Sequence, residues 1–378
     1  MTSRQTPVGL VSTLTDEQEM LVDASARFME TEMPIAAVRD AADGGTRDIA
    51  AYRAAAAGFG WFGFLGDEVA GGGSVSGNAV VDAAVIAAEL GARLQPGPYA
   101  GHSVVVDALT RVGGPSHAAV LADLVAGAAW ATWAFGDDTW CVLGISRDGV
   151  RLDGQVALAV EVGSCSHVLL GASGPDGFTQ ALVPLDSPGV TVRPLEAFDV
   201  SRRWGAVELQ GVTLPLEAIV GAPGSATAAQ LLRQVHLAAV LAAADAVGAM
   251  HADFETALQY AKDRIAFGRP IGSFQALKHV IADVSLSVEM AKGIVAEAAR
   301  ALGEDAPDAP ELVHAAKSFV GEHSVDVMHQ CFQVFGGIGF TWEHDQHLYL
   351  RRMSADAAMF GAPGWHREQL VATVEAVR

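Results

Sequence analysis

Fourteen consecutive residues, Leu237 to Met250, contain one charged side chain, Asp245; the others are Leu, Val, Ala, Met and a single Gly. Alanine-rich sequence of this kind favours helix. The run is shorter than the roughly 20 apolar residues a helix needs to span a bilayer, so it has to be buried in protein. An ionisable group in such a stretch is costly unless it is paired or functional. Two readings of Asp245 follow: a buried acid paired with an arginine or capping a neighbouring helix, or a carboxylate kept for chemistry.

The chain has 378 residues, of which 51% are hydrophobic and 18% charged. That excludes disorder and suggests two or three domains around a large core. With 24 basic and 44 acidic residues the net charge is −20. A nucleic-acid binder needs a dominant basic face, and an anionic membrane repels such a chain, so neither is expected as a partner. A phosphate-bearing ligand would have to be held by a few local cations and helix ends. Cys141, Cys165 and Cys331 are odd in number and widely spaced, which fits buried thiols in a reducing compartment. Met1–Leu10 lacks the apolar core of a signal peptide, and the cytoplasm is the expected location.

Periodicity divides the chain into three expected domains, 1–125, 126–222 and 223–378. The first is helical, opening with the capping box Thr15-Asp16-Glu17-Gln18 and continuing through Ile49–Ala57 and Val80–Leu90. The second changes to short β-prone runs at Val150–Leu152, Val168–Leu170, Ala181–Pro184, Val190–Val192 and Val207–Leu209. Gly, Pro and Asp separate them, as in a small antiparallel barrel or sandwich. The third returns to long helices over Ala226–Ile265, Phe274–Leu302, Pro310–Phe335 and Asp345–Met359, a four-helix bundle with surface to bury against other subunits. The fold class is α+β.

Some short motifs carry little. Gly58-Phe59-Gly60-Trp61-Phe62-Gly63 has dinucleotide-loop spacing but follows a helix instead of a strand, so it reads as a glycine-rich helix exit. Gly71-Gly72-Gly73-Ser74 reads as a loop, and Cys331 as core. His344 and His347 have no further ligands in a recognisable pattern, and no metal is expected.

Two stretches are far more specific: Arg264-Ile265-Ala266-Phe267-Gly268-Arg269-Pro270-Ile271-Gly272-Ser273-Phe274-Gln275, and Gln333-Val334-Phe335-Gly336-Gly337-Ile338-Gly339-Phe340-Thr341. They supply guanidinium groups able to clamp a pyrophosphate and glycines that let backbone approach a ligand. They resemble the two signatures of acyl-CoA dehydrogenases. The resemblance extends to Leu14–Gln18, to Gly58–Gly73 and to Gly211–Pro215, which looks like the last barrel strand, and to the order of helical, β and helical sections. It implies FAD as cofactor, an acyl-CoA substrate and electron-transfer flavoprotein as acceptor. It also implies assembly with itself, as a homodimer or homotetramer, or with a homologous subunit. By this resemblance Arg264, Phe267, Gln275, Gln333, Gly336 and Gly337 would hold the ADP half of FAD across a subunit interface.

The departures are as informative. The family reaction removes the acyl α-proton with a carboxylate while hydride leaves the β-carbon for the flavin. The usual position of that base is Phe360, followed by Gly361-Ala362, and a second family position is Ile265. Neither side chain accepts a proton. Asp245 matches a third position, one helix earlier, found in some actinobacterial sterol-type members. The segment that seats the flavin ring corresponds to Trp133-Ala134-Phe135-Gly136-Asp137-Asp138, and a Trp-Ile-Thr/Ser element is missing near Val156–Leu158. The chain thus resembles a dehydrogenase that keeps the trans half of a FAD site and lacks much of the cis half. Three readings compete: a subunit active with a sister subunit, a self-sufficient enzyme using Asp245, and a non-catalytic scaffold that binds acyl-CoA or a partner.

Overall fold

A computed structural model describes residues 7–42, 44–45, 48–134, 139–146, 149–174, 176–222 and 224–376. Six helices come first: α1 (Asp16–Glu32), α2 (Ile35–Ala42), α3 (Ile49–Ala57), α4 (Ala79–Ala92), α5 (Tyr99–Val112) and α6 (Ala118–Val125). The capping box forms as expected, with Thr15 Oγ1 accepting from the Gln18 amide at 3.2 Å and Gln18 Oε1 accepting from the Thr15 amide at 3.0 Å. Asp48 and Asn78 cap α3 and α4 in the same manner.

Eight strands follow: β1 (Ala131–Ala134), β2 (Thr139–Ser146), β3 (Gly149–Val160), β4 (His167–Gly174), β5 (Gly177–Pro184), β6 (Val190–Leu195), β7 (Trp204–Leu214) and β8 (Ile219–Val220). They make one sheet in the order β6-β7-β3-β2-β4-β5-β8, with β1 added beside β4. All five predicted β runs lie in strands. The sheet is mixed, however, and not purely antiparallel: Ala131–Ala134 run parallel to His167–Leu170, and β2 meets β4 through a parallel bridge at Val142 and Ser173. Gly211–Leu214 end β7, so the last strand is the two-residue β8. Leu152, Val156, Val168, Leu170, Val183 and Val207 fill a small β core apart from the helical one.

The chain ends in α7 (Ser225–Asp263), a short hairpin of β9 (Ile265–Ala266) and β10 (Arg269–Pro270), then α8 (Gln275–Gly303), α9 (Ala309–Phe335), α10 (Gln346–Ala358) and α11 (Pro363–Ala376). The four long helices match expectation to within a few residues; α11 is additional. α7 is the central element, packing on α4, α5, α8, α9 and α10. It is long and apolar enough to cross a membrane, but its apolar window is wholly buried within the chain.

The α4–α7 crossing is unusually close. A Cβ on Gly91 would collide with the Asp245 carbonyl oxygen, and one on Gly248 with the Ala88 carbonyl oxygen. Two backbones therefore meet directly, with no flexible side chain to give way. Gly248→Ala should lower stability by about 3 kcal/mol, seen as a reduced urea midpoint. Gly293→Ala, where the added carbon meets nothing within 4 Å on α8, should be neutral or slightly stabilising.

Candidate functional site

Asp245 sits midway along α7 and faces two arginines. Arg352, from α10, grips it with both branches of its fork: Nε to Oδ1 at 2.7 Å and Nη2 to Oδ2 at 2.9 Å. Arg202, from the connection between β6 and β7, reaches Oδ1 through Nη2 at 3.0 Å. Its Nη1 binds Asp356 Oδ1 at 2.7 Å. Asp356 lies one turn after Arg352 on α10, so one helix face supplies both an anion and a cation to the quartet. Burial alone would push Asp245 upward, but the two guanidinium groups outweigh it and hold its carboxyl down at about 2. Asp356 goes the other way: burial and the Asp245 carboxylate raise it well above the usual carboxylate range, against the pull of Arg202 and Arg352. Asp245 is therefore a firmly held anion with both oxygens occupied, which makes it a poor proton acceptor.

The quartet forms part of the wall of a cavity of about 440 Å³ lined by α4, α5, α7, α10 and the sheet. Trp133 and Phe360 also line it and stack on each other, their centroids 5.9 Å apart and their planes 27° from parallel. These are the two positions at which the sequence departs from the family: the flavin-seating segment and the base. The structure brings them together as an aromatic pair with no proton acceptor. Residues 135–138 of that segment lie outside the described residues. Phe360 is in the left-handed region at φ 56°, a costly backbone for a bulky residue. It is over-determined by buried donors: His366 Nε2 binds the Phe360 carbonyl at 3.0 Å, and Lys317 Nζ donates to the carbonyls of Ala357 and Gly361 at 3.1 and 3.0 Å. Burial pushes Lys317 down to about 8.

The six residues matched to FAD contacts lie elsewhere, together at one end of the bundle. Tyr260 and Phe335 pack ring to ring at 5.3 Å and so join the ends of α7 and α9. Arg264 caps α7; Gln275 opens α8; Gln333, on α9, is exposed; Gly336 ends α9 at φ 63°. Phe267, at the turn of the β9–β10 hairpin, is 96% exposed. A Cβ on Gly336 or Gly337 would meet nothing within 4 Å, so their backbone is open to a ligand from outside the chain. This donor set, of exposed guanidinium, amides and unobstructed glycine N–H groups, fits the phosphate and ribose half of a dinucleotide.

Sequence reasoning missed Arg202, Asp356 and Asp253. Arg352, a few residues past the second signature, is buried and committed to Asp245. Asp253, two turns past Asp245, is enclosed by α9 and α10 and accepts from Gln346 Nε2 at 3.0 Å. Burial pushes it up to about 8.

Comparisons with known proteins agree with this architecture. The family models for the acyl-CoA dehydrogenase N-terminal and C-terminal domains match residues 15–128 and 228–374. Acyl-CoA dehydrogenase IpdE2 of Mycolicibacterium smegmatis is 31% identical over 78% of this chain and 78% of its own length. Acyl-CoA dehydrogenase FadE34 of Mycobacterium tuberculosis is 34% identical over 98% of this chain, which spans only 50% of that relative. Among solved structures, the Tcur3481–Tcur3483 steroid ACAD aligns with a TM-score of 0.84 at 24% identity, covering 97% and 99% of the two chains. The ChsE4–ChsE5 complex from Mycobacterium tuberculosis aligns at 0.84 and 21%, covering 96% and 98%.

Two outcomes follow from the buried charges. Arg352→Ala removes the bidentate partner of the Asp245 carboxylate, leaving it Arg202 alone, and should cost about 3 kcal/mol in chemical denaturation. Asp253 has the opposite sign from a paired acid. Its folded value lies above its unfolded value near 4, so its contribution is full below pH 4 and is lost as pH rises toward about 8. Asp253→Asn should therefore gain stability relative to the parent between pH 5 and 8, and little at pH 4.

Proposed function

Because the chain belongs to the acyl-CoA dehydrogenase family of FAD-dependent oxidoreductases, we propose that it serves as one subunit of a heteromeric dehydrogenase. Its substrate is an acyl-CoA thioester that undergoes α,β-dehydrogenation, and its electron acceptor is an electron-transfer flavoprotein. A bound FAD would supply the acceptor for the hydride that leaves the β-carbon. The observation that carries the reading is the separation of the exposed patch from the cavity. The six residues matched to the ADP half are at the surface, whereas the family's base position is Phe360, stacked on Trp133 inside the cavity. Arg264 would clamp the FAD pyrophosphate, and Phe267, Gln275, Gln333 and the Gly336–Gly337 backbone would hold its adenosine side. The carboxylate that accepts the α-proton comes from a sister subunit, since Phe360 and Ile265 cannot take a proton and Asp245 is committed to Arg352 and Arg202. That a structural neighbour is a ChsE4–ChsE5 complex is consistent with a two-chain assembly.

The Trp133–Phe360 stack also supports a second reading, a non-catalytic scaffold of the same fold that binds acyl-CoA or a partner. Arg264→Ala in the co-expressed pair separates them. The dehydrogenase reading expects the complex to assemble normally with severalfold less flavin per heteromer. Unchanged flavin content would remove Arg264 from the site, and a pair with no flavin at all would favour the scaffold.

A further inference from the structure

α11 packs on α9 and is held by few contacts, of which a histidine cluster supplies the central one. Among the described side chains of α11 only His366 is buried. The ion pair from Arg367 to Glu322, at 2.7 Å, is more than half exposed at both ends, so it adds little. α11 is joined to α10 through Phe360 and Gly361, which stand in succession at φ 56° and 105°. A bulky residue keeps such a backbone only while its surroundings over-determine it, so this turn can reopen once its restraints go. Phe360, Gly361 and Trp365 all line the cavity, and Trp365, being 40% exposed, sits at its rim.

Three buried histidines from three helices meet at this anchor: His236 of α7, His314 of α9 and His366 of α11. His366 Nε2 donates to the Phe360 carbonyl at 3.0 Å, so the proton of the neutral ring is on Nε2 and its Nδ1 is an acceptor. His314 Nδ1 donates to that Nδ1 across 2.9 Å. His236 meets His314 edge to face, with centroids 5.0 Å apart, and its Nε2 is buried without a hydrogen bond. The arrangement suits three neutral rings. Protons on both His314 and His366 would set N–H against N–H, and a proton on His236 would leave a buried cation with no acceptor at Nε2. The charged groups facing the trio are Arg233 from α7, Glu311 and Lys317 from α9 and, acting on Lys317, Asp356 from α10. Burial, helped by His314 and Arg233, takes His236 down to about 4. Burial, helped by Lys317, takes His366 down to about 3. Burial lowers His314 as well, against the pull of Glu311.

We infer that His236, His314 and His366 form an acid-sensitive latch that holds α11 and its Trp365 over the cavity, and that protonating the trio releases α11 about the Phe360–Gly361 turn. Each histidine is lowered in the closed chain and returns to about 6.5 once released, so its contribution to closure is full above about pH 7 and is lost as pH falls toward about 4. Release also frees Phe360 from its stack on Trp133.

Hydrogen–deuterium exchange of the full chain at about pH 7.5 and about pH 5, corrected for the intrinsic pH dependence of exchange, reads the latch. A histidine that moves from about 4 or below to about 6.5 raises the opening constant about thirtyfold at pH 5. With at least two such groups, the α11 amides should exchange more than about a hundredfold faster at the lower pH, while those of α7 and α9 keep their protection. His366→Gln can still offer a side-chain N–H to the Phe360 carbonyl but takes no proton, so its response should be smaller by about thirtyfold. If α11 of that variant is already unprotected at the higher pH, His236→Gln, on α7, supplies the same comparison. Equal protection of α11 at the two pH values, a loss shared equally by α7 and α9, or a full response in the substituted chain would each overturn the inference. None of these readouts involves flavin, so the inference stands or falls separately from the dehydrogenase reading.

Discussion

The bidentate contact between Arg352 and Asp245 ties the molecule together. It crosses from the last long helices to the centre of α7, and Arg202 extends it to the loop that enters β7. Gln95, between α4 and α5, joins through its carbonyl. All three sections of the chain thus converge on one cluster of two arginines and two acids, in which Asp245 is the firmly held anion. Desolvating its charges is expensive, and such a cluster gives more by specifying one arrangement than by adding net stability. The close α4–α7 crossing works in the same place: Gly91 lies against the Asp245 carbonyl and Gly248 against Ala88. α7 is held in depth and rotation by backbone contact on one face and by ion pairs on another.

Asp245 and Arg264 lie on the same helix, 19 residues apart, which is about 28 Å along its axis. The middle of α7 therefore faces the cavity and its C-terminal end the exposed patch of Arg264, Phe267 and Gly336. Rigid packing of α7 against five other helices fixes the relation between the two. In a heteromer this chain can offer the patch to a neighbour's cofactor while its own cavity follows a different course, with an aromatic pair and a charge cluster where chemistry would otherwise sit.

Much of this was legible in the sequence because it depends on local pattern. The long helices follow apolar spacing, and Thr15 and Gln18 specify the start of α1. The glycines of the second signature do end α9. What was not legible depends on distant residues meeting. Asp356 lies in a mixed polar stretch and looks like a surface acid until α10 is laid against α7. Arg202 follows a strand end and has no periodic signal. β1 is four residues long and is stabilised by parallel pairing with β4, which no local rule reveals. Asp245 was singled out correctly as a buried charge, with an arginine partner among the readings left open; that the partner is Arg352 depends on the tertiary fold.

We propose that this chain contributes half of a flavin site whose other half belongs to a sister subunit. The visible absorbance of the purified protein tests it most directly. The chain expressed alone should show no flavin absorbance, and the chain co-purified with a homologous partner should show the full bands. A chain that is yellow, stoichiometric in FAD and turning over acyl-CoA on its own would contradict it.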